Sequence, residues 1–364
     1  MSPLAMIDDL ACVSICGVDT VKTNSYINAK TNLKKLQFGP DKCHKMHIGK
    51  RKIYCPDLQI DSWKMGLKTQ LETKMDEEID VFEGDVQMDK SNEEKCLGDI
   101  ITDDGLNKRN IDARKGKGFG IINQIKEILQ EILFGPNYFE IANLLRHSLF
   151  LSSVLLNSEV WYGLSVTDIE QLEQVDQALL KTILEAPSST PKVSLYLEMG
   201  CIPIRFIIKS RRIMFLHYIL NQSENSLLFK FFNAQLENPV KGDWSEQVLL
   251  DISEIDLQLT MQEIKNLSKE SFRAKVKKAI ERAALIWLIE EKGKKSKVKS
   301  LNYDVLKMQN FLEGSELETA EKKFLFQMRS RMLNVKCNFK NNHSDLSCPL
   351  CSLKEDSYGV TIFV

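Results

Sequence analysis

The chain has 364 residues, of which 43% are hydrophobic and 27% are charged. These values describe an ordinary soluble globular protein with room for two or three domains and a sizeable core. Lysine and arginine number 49 against 50 aspartates and glutamates, which gives a formal net charge of -1. Nucleic-acid binding therefore cannot be inferred from the overall charge, and it has to be judged from local charged segments.

The nine cysteines show no disulfide-like spacing, which predicts free thiols in a reducing compartment. The N-terminus lacks the charged segment and long apolar stretch of a secretory signal. The longest apolar runs, such as residues 149–156, are too short to cross a bilayer. We therefore expect a soluble intracellular protein of the nucleus or cytoplasm, with no membrane partner.

In chain order, the first informative stretch is an apolar run over residues 4–13 that contains Asp8 and Asp9. Neighbouring side chains of a strand point to opposite faces, so both carboxylates cannot reach the same solvated side. Burying a carboxylate costs roughly several kcal/mol unless a cation or hydrogen bonds satisfy it. The pattern predicts a strand, an acidic turn and a second strand. An exposed turn and a divalent-metal site both fit the spacing.

Residues 18–36 have the spacing of an amphipathic helix, which Gly39-Pro40-Asp41 ends. The segment that follows is densely basic, and its cations include Lys42, Lys45, Lys50, Arg51 and Lys52. A solvated charged face is one interpretation of this segment. Contact with phosphate is the other, and it is favoured if the neighbouring acidic turn holds a metal ion.

Residues 96–102 are predicted to form a short strand, and Asp104-Gly105 is a typical hairpin-turn pair. A second hairpin is expected near this point. After Gly120 the pattern becomes helical, with apolar residues at helical spacing. The predicted helices cover residues 121–133, 138–156, 168–184, 202–220, 271–291 and 317–333, and another helical region is predicted to start at Trp244.

The helix predicted at 202–220 carries a basic cluster that includes Arg205, Arg211 and Arg212. Two interpretations compete: a solvated helix face, or a face that follows phosphates on a thumb-like module. Residues 292–299 (Lys-Gly-Lys-Lys-Ser-Lys-Val-Lys) form a basic linker, for which flexibility and contact with RNA are expected.

Four stretches, taken in order, resemble motifs of one polymerase family. They are Ser2-Pro3-Leu4-Ala5-Met6-Ile7-Asp8-Asp9-Leu10-Ala11, Phe38-Gly39-Pro40-Asp41-Lys42-Cys43, Cys96-Leu97-Gly98-Asp99-Ile100-Ile101 with Asp104-Gly105-Leu106-Asn107, and Cys348-Pro349-Leu350-Cys351. They resemble the Asp-Asp hairpin, the next palm motif, the primer-grip hairpin and the start of the Cys/His knuckle of non-LTR retrotransposon reverse transcriptases. The resemblance spans almost the whole chain, and the order of the motifs makes it specific.

The resemblance implies an RNA-directed DNA polymerase that uses two Mg²⁺ ions for nucleotidyl transfer. Asp8 would be the main metal ligand and Asp9 a secondary one, while Lys42 would sit near the triphosphate. Leu97 and Gly98 would belong to the primer grip and position the primer through their backbone. The implied partners are an RNA template with a DNA primer, or an RNA–DNA hybrid.

The chain departs from the family pattern at both ends. Only seven residues precede Asp8, whereas the family has a further palm aspartate and the fingers upstream. We therefore expect a C-terminal fragment that is inactive alone and that pairs with the missing polymerase half. A non-catalytic RNA- or DNA-binding module from a decayed retroelement is the alternative, and a helical scaffold without a nucleic-acid role is a third.

Zinc is a further cofactor to weigh, because Cys348 and Cys351 have the spacing of zinc ligands. A structural zinc site takes four ligands, and no His or Cys follows Cys351. Cys337 and His343 lie upstream and could close a site, but a surface turn is the favoured interpretation of the pair.

Together these patterns predict an α+β fold, with a small antiparallel, palm-like sheet of hairpins followed by a mostly helical thumb and connection region. The predicted domains are a partial palm over 1–117, a helical thumb over 118–222, a helical connection region over 223–335, and an incomplete Cys/His knuckle with a divergent tail over 336–364.

Overall fold

A computed structural model of the chain describes residues 91–333, apart from 134, 136, 296, 300 and 315, and the backbone of six short strands before residue 91. The chain divides into two compact units, Met1–Asn110 and Ile111–Val364. Strands dominate the described part of the first unit and helices that of the second, so the fold class is α+β, as predicted. The predicted boundary at 222/223 falls inside the second unit.

The strands of the first unit form four separate pairs rather than one sheet of hairpins. Three pairs are antiparallel, and one, between β3 and β6, is parallel. The strands are β1 (Leu4–Met6), β2 (Asp9–Ala11), β3 (His44–Lys45), β4 (Phe82–Glu83), β5 (Val86–Gln87), β6 (Asp89–Lys90), β7 (Glu93–Cys96) and β8 (Asp99–Thr102).

The hairpin of β7 and β8 turns at Leu97 and Gly98, so the prediction of one strand over residues 96–102 is wrong. Cys96 pairs with Asp99, and both turn residues have positive φ, 50° and 90°. Positive φ at both central residues is the geometry of the tight turn that matches the strand twist. Asp104-Gly105, predicted to be the hairpin turn, instead closes the loop after β8, where the Gly105 N–H donates to the Thr102 carbonyl at 3.0 Å.

Residues 18–36, predicted to be an amphipathic helix, lie outside the described residues. The first helix that the structure describes, α1 (Lys108–Glu131), begins well before residue 121, where the pattern predicts it. It continues through Gly116, Gly118 and Gly120, each of which costs about 1 kcal/mol of helix propensity. Gly118 shows what offsets that cost: a Cβ there would lie 2.8 Å from the Val175 side chain. Close tertiary packing at this glycine outweighs local propensity.

Several of the remaining helices begin after a residue whose side chain caps the first turn. Ser165 and Asp168 form a reciprocal capping box at the start of α4. The helices are α2 (Tyr138–Leu145), a π-helical segment (Arg146–Leu151), α3 (Ser152–Val154), α4 (Val166–Leu184), α5 (Lys192–Met199), α6 (Ile204–Leu220), α7 (Leu227–Glu237), α8 (Trp244–Glu254), α9 (Met261–Asn266), α10 (Lys269–Gly293) and α11 (Thr319–Arg329). Helices α5, α7 and α9 have no counterpart among the predicted helices.

Helix α6 packs into two hydrophobic clusters at once. Ile204 and Ile208 belong to a first cluster, which also contains residues of α1, α4, α5 and α11. Phe206, Ile213 and Leu216 belong to a second cluster, shared with α8 and α10. A helix with apolar partners on two sides leaves little of its surface to solvent, which determines where its arginines lie.

The basic segment 292–299 is tied to the second unit at two places, which corrects the expectation of a flexible linker. Lys292 is buried, and its ammonium donates to the Leu301 carbonyl. Val298 is 1% exposed and belongs to the first cluster. The segment is therefore packed against the hydrophobic core of the second unit.

The end of α5 packs closely against a later segment of the same unit. Gly200 ends the helix with φ of 63°, and a Cβ there would lie 2.1 Å from the backbone of Lys307 and Met308. Met199 pairs with Met308 in an isolated antiparallel bridge, and the Gln309 N–H donates to the Glu198 carbonyl at 3.0 Å. Only glycine fits both the conformation and the space at this position.

We predict that Gly200→Ala lowers the free energy of unfolding by about 2–5 kcal/mol, because left-handed strain of about 1–2 kcal/mol adds to overpacking of about 1–3 kcal/mol. Gly242→Ala is the matched control: Gly242 also has positive φ (85°), but nothing lies within 4 Å of its added Cβ. Urea denaturation measures both variants. An equal loss of unfolding free energy in the two variants would show that the close approach at Gly200 does not contribute to stability.

Candidate functional site

The Asp-Asp motif lies at a pair of antiparallel strands. Strands β1 and β2 pair with Leu4 opposite Ala11 and Met6 opposite Asp9. Asp9 is therefore the first residue of the second strand, and Asp8 directly precedes it in the sequence. Asp8 lies outside the described residues, as does the side chain of Asp9. The predicted order of strand, acidic pair and strand is present in the backbone.

Most of the other predicted site residues in the first unit lie outside the described residues. These are Lys42, Lys50, Arg51 and Lys52, and the same holds for Cys348 and Cys351 near the C-terminus. Lys45 lies in β3, where its backbone pairs with that of Lys90. Among the residues that the structure describes, no three or more His, Cys, Asp or Glu side chains are grouped to hold a metal ion.

The predicted primer-grip residues lie together at the tip of the β7–β8 hairpin. Leu97 is half exposed, and Gly98 follows it in the tight turn. The buried Asn110 side chain holds the second strand: its amide donates to the Asp99 carboxylate at 3.0 Å, and its carbonyl oxygen accepts from the Ile100 N–H at 3.3 Å. Asn110 therefore fixes the two residues that directly follow the turn, and Leu97 and Gly98 lie at the tip beside them.

Arg212, predicted to lie on a solvated or phosphate-binding face of α6, is buried. Its Nε and Nη2 donate to the two carboxylate oxygens of Asp251 at 2.6 and 3.2 Å, and its Nη1 donates to the Trp161 carbonyl at 3.1 Å. Asp251 is itself 0% exposed. A guanidinium used in this way joins α6 to α8 and has no donor left facing solvent for a phosphate.

Arg205 is also engaged within the protein. Its guanidinium makes a bidentate pair with Glu173 of α4, at 2.7 and 2.8 Å, and lies 4.2 Å from the centre of the Trp287 ring. Burial by itself would lower the pKa of Arg205, but the hydrogen bonds and charge of Glu173 outweigh it and hold that pKa above its ordinary value. The residue therefore ties α4, α6 and α10 together.

Arg211, the third predicted cation of α6, faces the segment after α3. Its Nη1 donates to the Leu155 carbonyl and to the Ser158 hydroxyl, the latter at 3.2 Å. Burial lowers the pKa of Arg211, and the charge of Glu159 opposes that effect. All three arginines of the predicted phosphate-binding cluster thus hold the helical unit together.

Sequence reasoning missed the most buried charged group of the second unit. Arg146, in the π-helical segment, makes two hydrogen bonds of 2.7 Å with the Asp176 carboxylate, and both residues are 0% exposed. The Tyr196 hydroxyl donates to the same carboxylate at 3.1 Å, and Arg146 also donates to the Ile202 carbonyl at 3.1 Å. Burial raises the pKa of the neighbouring Cys201 thiol to about 11, so this thiol is protonated and unreactive at neutral pH.

The charge of Asp176 was readable from the sequence, but the position of its partner was not. Arg146 precedes Asp176 by 30 residues, and no local pattern links the two. Its one sequence signal is that it lies inside a helix that is apolar on most sides, where a cation needs a partner.

In the described part of the chain, no helix combines the length and the apolar content needed to cross a membrane. Comparisons of the chain with protein-family models, with curated proteins and with solved structures found no match.

We predict that Arg212→Met lowers the free energy of unfolding by about 3–5 kcal/mol, because it leaves the buried Asp251 carboxylate without its partner. Arg282→Met is the control. It breaks the pair between Arg282 and Asp256, whose side chains are more than half exposed, and should cost less than about 1 kcal/mol. Chemical denaturation of both variants checks the difference, and a loss in Arg212→Met as small as in the control would contradict a structural role.

Proposed function

We propose that the chain is the C-terminal part of an RNA-directed DNA polymerase of the non-LTR retrotransposon type. The observation that carries the proposal is the order of the motifs, together with two antiparallel hairpins that contain Asp9 and the Leu97-Gly98 pair of those motifs. The first hairpin, β1–β2, carries the Asp pair. The second, β7–β8, carries Leu97 and Gly98 at its tip.

The donor set of the first hairpin fits magnesium, because carboxylate oxygens are the hard ligands that this ion prefers. When bound, two Mg²⁺ ions would activate the primer 3′-hydroxyl and hold the incoming triphosphate. Asp8 and Asp9 would supply oxygens to the metal, with Asp8 as the main ligand. Lys42 would stabilise negative charge on the triphosphate, and a further carboxylate would come from another palm strand of the intact enzyme.

The second hairpin would act through shape and backbone rather than through acid–base chemistry. A two-residue turn exposes backbone groups at its tip, and the Asn110 contacts fix the strand behind it. Such a hairpin can hold a primer end in one position, which is how orientation lowers a reaction barrier. The exposed Leu97 side chain offers an apolar contact for the primer sugar.

The helical unit would serve as a thumb and connection region. Its arginines at 205, 211 and 212 are hydrogen-bonded within the unit. We therefore assign phosphate contact to the basic segment around Lys50, Arg51 and Lys52. A non-catalytic nucleic-acid-binding module would use the same segment, and only catalysis distinguishes it from a polymerase.

Binding to an RNA–DNA hybrid tests the nucleic-acid part of the proposal. We expect the chain to bind with an affinity that falls steeply with salt, and the triple variant Lys50→Gln/Arg51→Gln/Lys52→Gln to reduce the salt slope by about 0.9 for each lost phosphate contact. The matched control is Lys126→Gln/Lys230→Gln/Lys241→Gln, which removes three exposed lysines elsewhere. Identical slopes for the two triple variants would rule out the assigned segment, and a chain that shows no salt-dependent binding would rule out the proposal.

Primer extension tests the catalytic part. In a polypeptide extended upstream to include another palm aspartate, Asp8→Asn should lower Mg²⁺-dependent extension of a DNA primer on RNA by roughly 10³-fold, since a metal ligand contributes several kcal/mol to the transition state. Asp112→Asn, which changes an exposed helical aspartate, is the control and should keep full activity. The 364-residue chain by itself should extend no primer. Extension that survives Asp8→Asn would assign the chemistry to other residues.

A further inference from the structure

A cleft of about 630 Å³ lies in the helical unit where the second half of α6 meets the start of α10. From α6 its walls include Phe215 and Tyr218, and from α10 they include Lys269 and Arg273. None of these residues belongs to the motifs that carry the resemblance to reverse transcriptases. The cleft therefore needs an explanation of its own.

The aromatic wall of the cleft is an open stacking surface. The Tyr218 ring is 51% exposed and stacks on Phe215, with ring centres 5.8 Å apart and planes 16° from parallel. Phe215 packs edge-on against Trp244, which is buried in the second cluster. One face of Tyr218 is thus supported from the core, and its exposed surface is available to a flat ligand. Aromatic platforms of this kind bind single-stranded nucleic acids by stacking a base.

The opposite wall is cationic. Lys269 and Arg273 are exposed and lie four residues apart on α10, which places them about 6 Å apart along the helix axis. Lys277 continues the same face and makes a loose pair of 3.8 Å with Glu281. Within the described ranges, neither Lys269 nor Arg273 forms an ion pair. This spacing is comparable to the distance between successive phosphates of an extended strand.

One carboxylate, Glu159, also lines the cleft, and its charge acts on Arg211. Arg211 is in turn held by the Leu155 carbonyl and the Ser158 hydroxyl. The acid is therefore matched by a cation that is already part of the wall. Lys269 and Arg273 remain as excess positive charge.

We propose that this cleft binds a single strand of nucleic acid, with a base stacked on Tyr218 and the adjoining phosphates contacted by Lys269 and Arg273. A duplex fits less well, because its bases are stacked on each other and cannot lie on Tyr218. The choice of nucleic acid over an acidic peptide rests in part on the proposed function. The aromatic platform supports it independently, because every nucleotide carries an aromatic base that can stack on Tyr218, whereas the acidic side chains of a peptide carry no ring.

The test measures binding of the 364-residue chain to a fluorescent oligoribonucleotide of roughly 12 nucleotides, a length within the usual site sizes for single-strand binders. Tyr218→Ala should weaken binding by roughly tenfold through loss of base stacking. Tyr162→Ala is the matched control, since Tyr162 is exposed to a similar extent, 46%, and does not line the cleft. Binding by Tyr162→Ala should equal that of the unmodified chain.

A second pair of variants tests the phosphate contacts. Arg273→Gln should reduce the slope of log affinity against log salt by about 0.7, the value for one phosphate of a single strand. Lys278→Gln removes an exposed cation on another face of α10 and should leave the slope unchanged. Far-ultraviolet circular dichroism of all four variants should match that of the unmodified chain, because all four substituted residues are exposed.

Three results would overturn the inference: equal affinities for Tyr218→Ala and Tyr162→Ala, an equal loss of duplex and single-strand affinity in Tyr218→Ala, or tighter binding of an acidic peptide at the cleft. The hybrid-binding and primer-extension tests are read separately from this one. If single-strand binding depends on Tyr218 in a protein that fails both of those tests, the inference about the cleft stands and the proposed polymerase function is rejected. If the protein passes both of those tests but its single-strand binding does not depend on Tyr218, the proposed polymerase function stands and the inference about the cleft is rejected.

Discussion

The buried pair of Arg146 and Asp176 joins the π-helical segment, α4, α5 and the residues between α5 and α6. Arg146 lies in the π-helical segment and Asp176 in α4, while Tyr196 of α5 and the Ile202 carbonyl complete the network. Removing charges from water is costly, and only close geometry with further hydrogen bonds compensates for it. Each helix must therefore adopt one orientation for the others to be satisfied. A π-helical segment, which is rare, places Arg146 where it meets both Asp176 and Ile202.

A second buried acid extends this constraint to the end of the described chain. Glu198 of α5 is fully buried and accepts hydrogen bonds from the Tyr303 hydroxyl at 2.7 Å and from Arg329 of α11 at 2.9 Å. Burial raises the pKa of Glu198, and these two partners offset that effect only in part. Next to it, Gly200 allows residues 307–309 to approach α5. Helix α5 is thus held on one side by Asp176 and on the other by the returning chain.

The sequence predicts the helices of this unit well, because their apolar spacing reflects burial on one side. It does not predict what happens at α6, which packs on two sides. Arg205, Arg211 and Arg212 have the spacing of a basic face. Their partners are Glu173 of α4, Asp251 of α8 and the backbone carbonyls of Leu155 and Trp161, which lie between α3 and α4. The turn at Leu97–Gly98 was missed for a related reason: Asp104-Gly105 is the stronger local turn signal, and strand pairing overrides it. For the Asp8–Asp9 motif, the backbone strands agree with the prediction.

Some positively charged residues of the helical unit are buried and others are exposed, and this difference determines which of them can contact a ligand. Arg146 and Arg212 neutralise buried carboxylates, so they are fixed parts of the fold and have no charge to offer outside it. Lys269 and Arg273 lie on an exposed helix face beside an open aromatic ring, where a bound phosphate would replace only water. A cationic residue can serve recognition when its charge is not already used by the protein. In a chain whose total charge is close to zero, the unpaired cations and their neighbours, rather than the number of lysines and arginines, determine where a polyanion would bind.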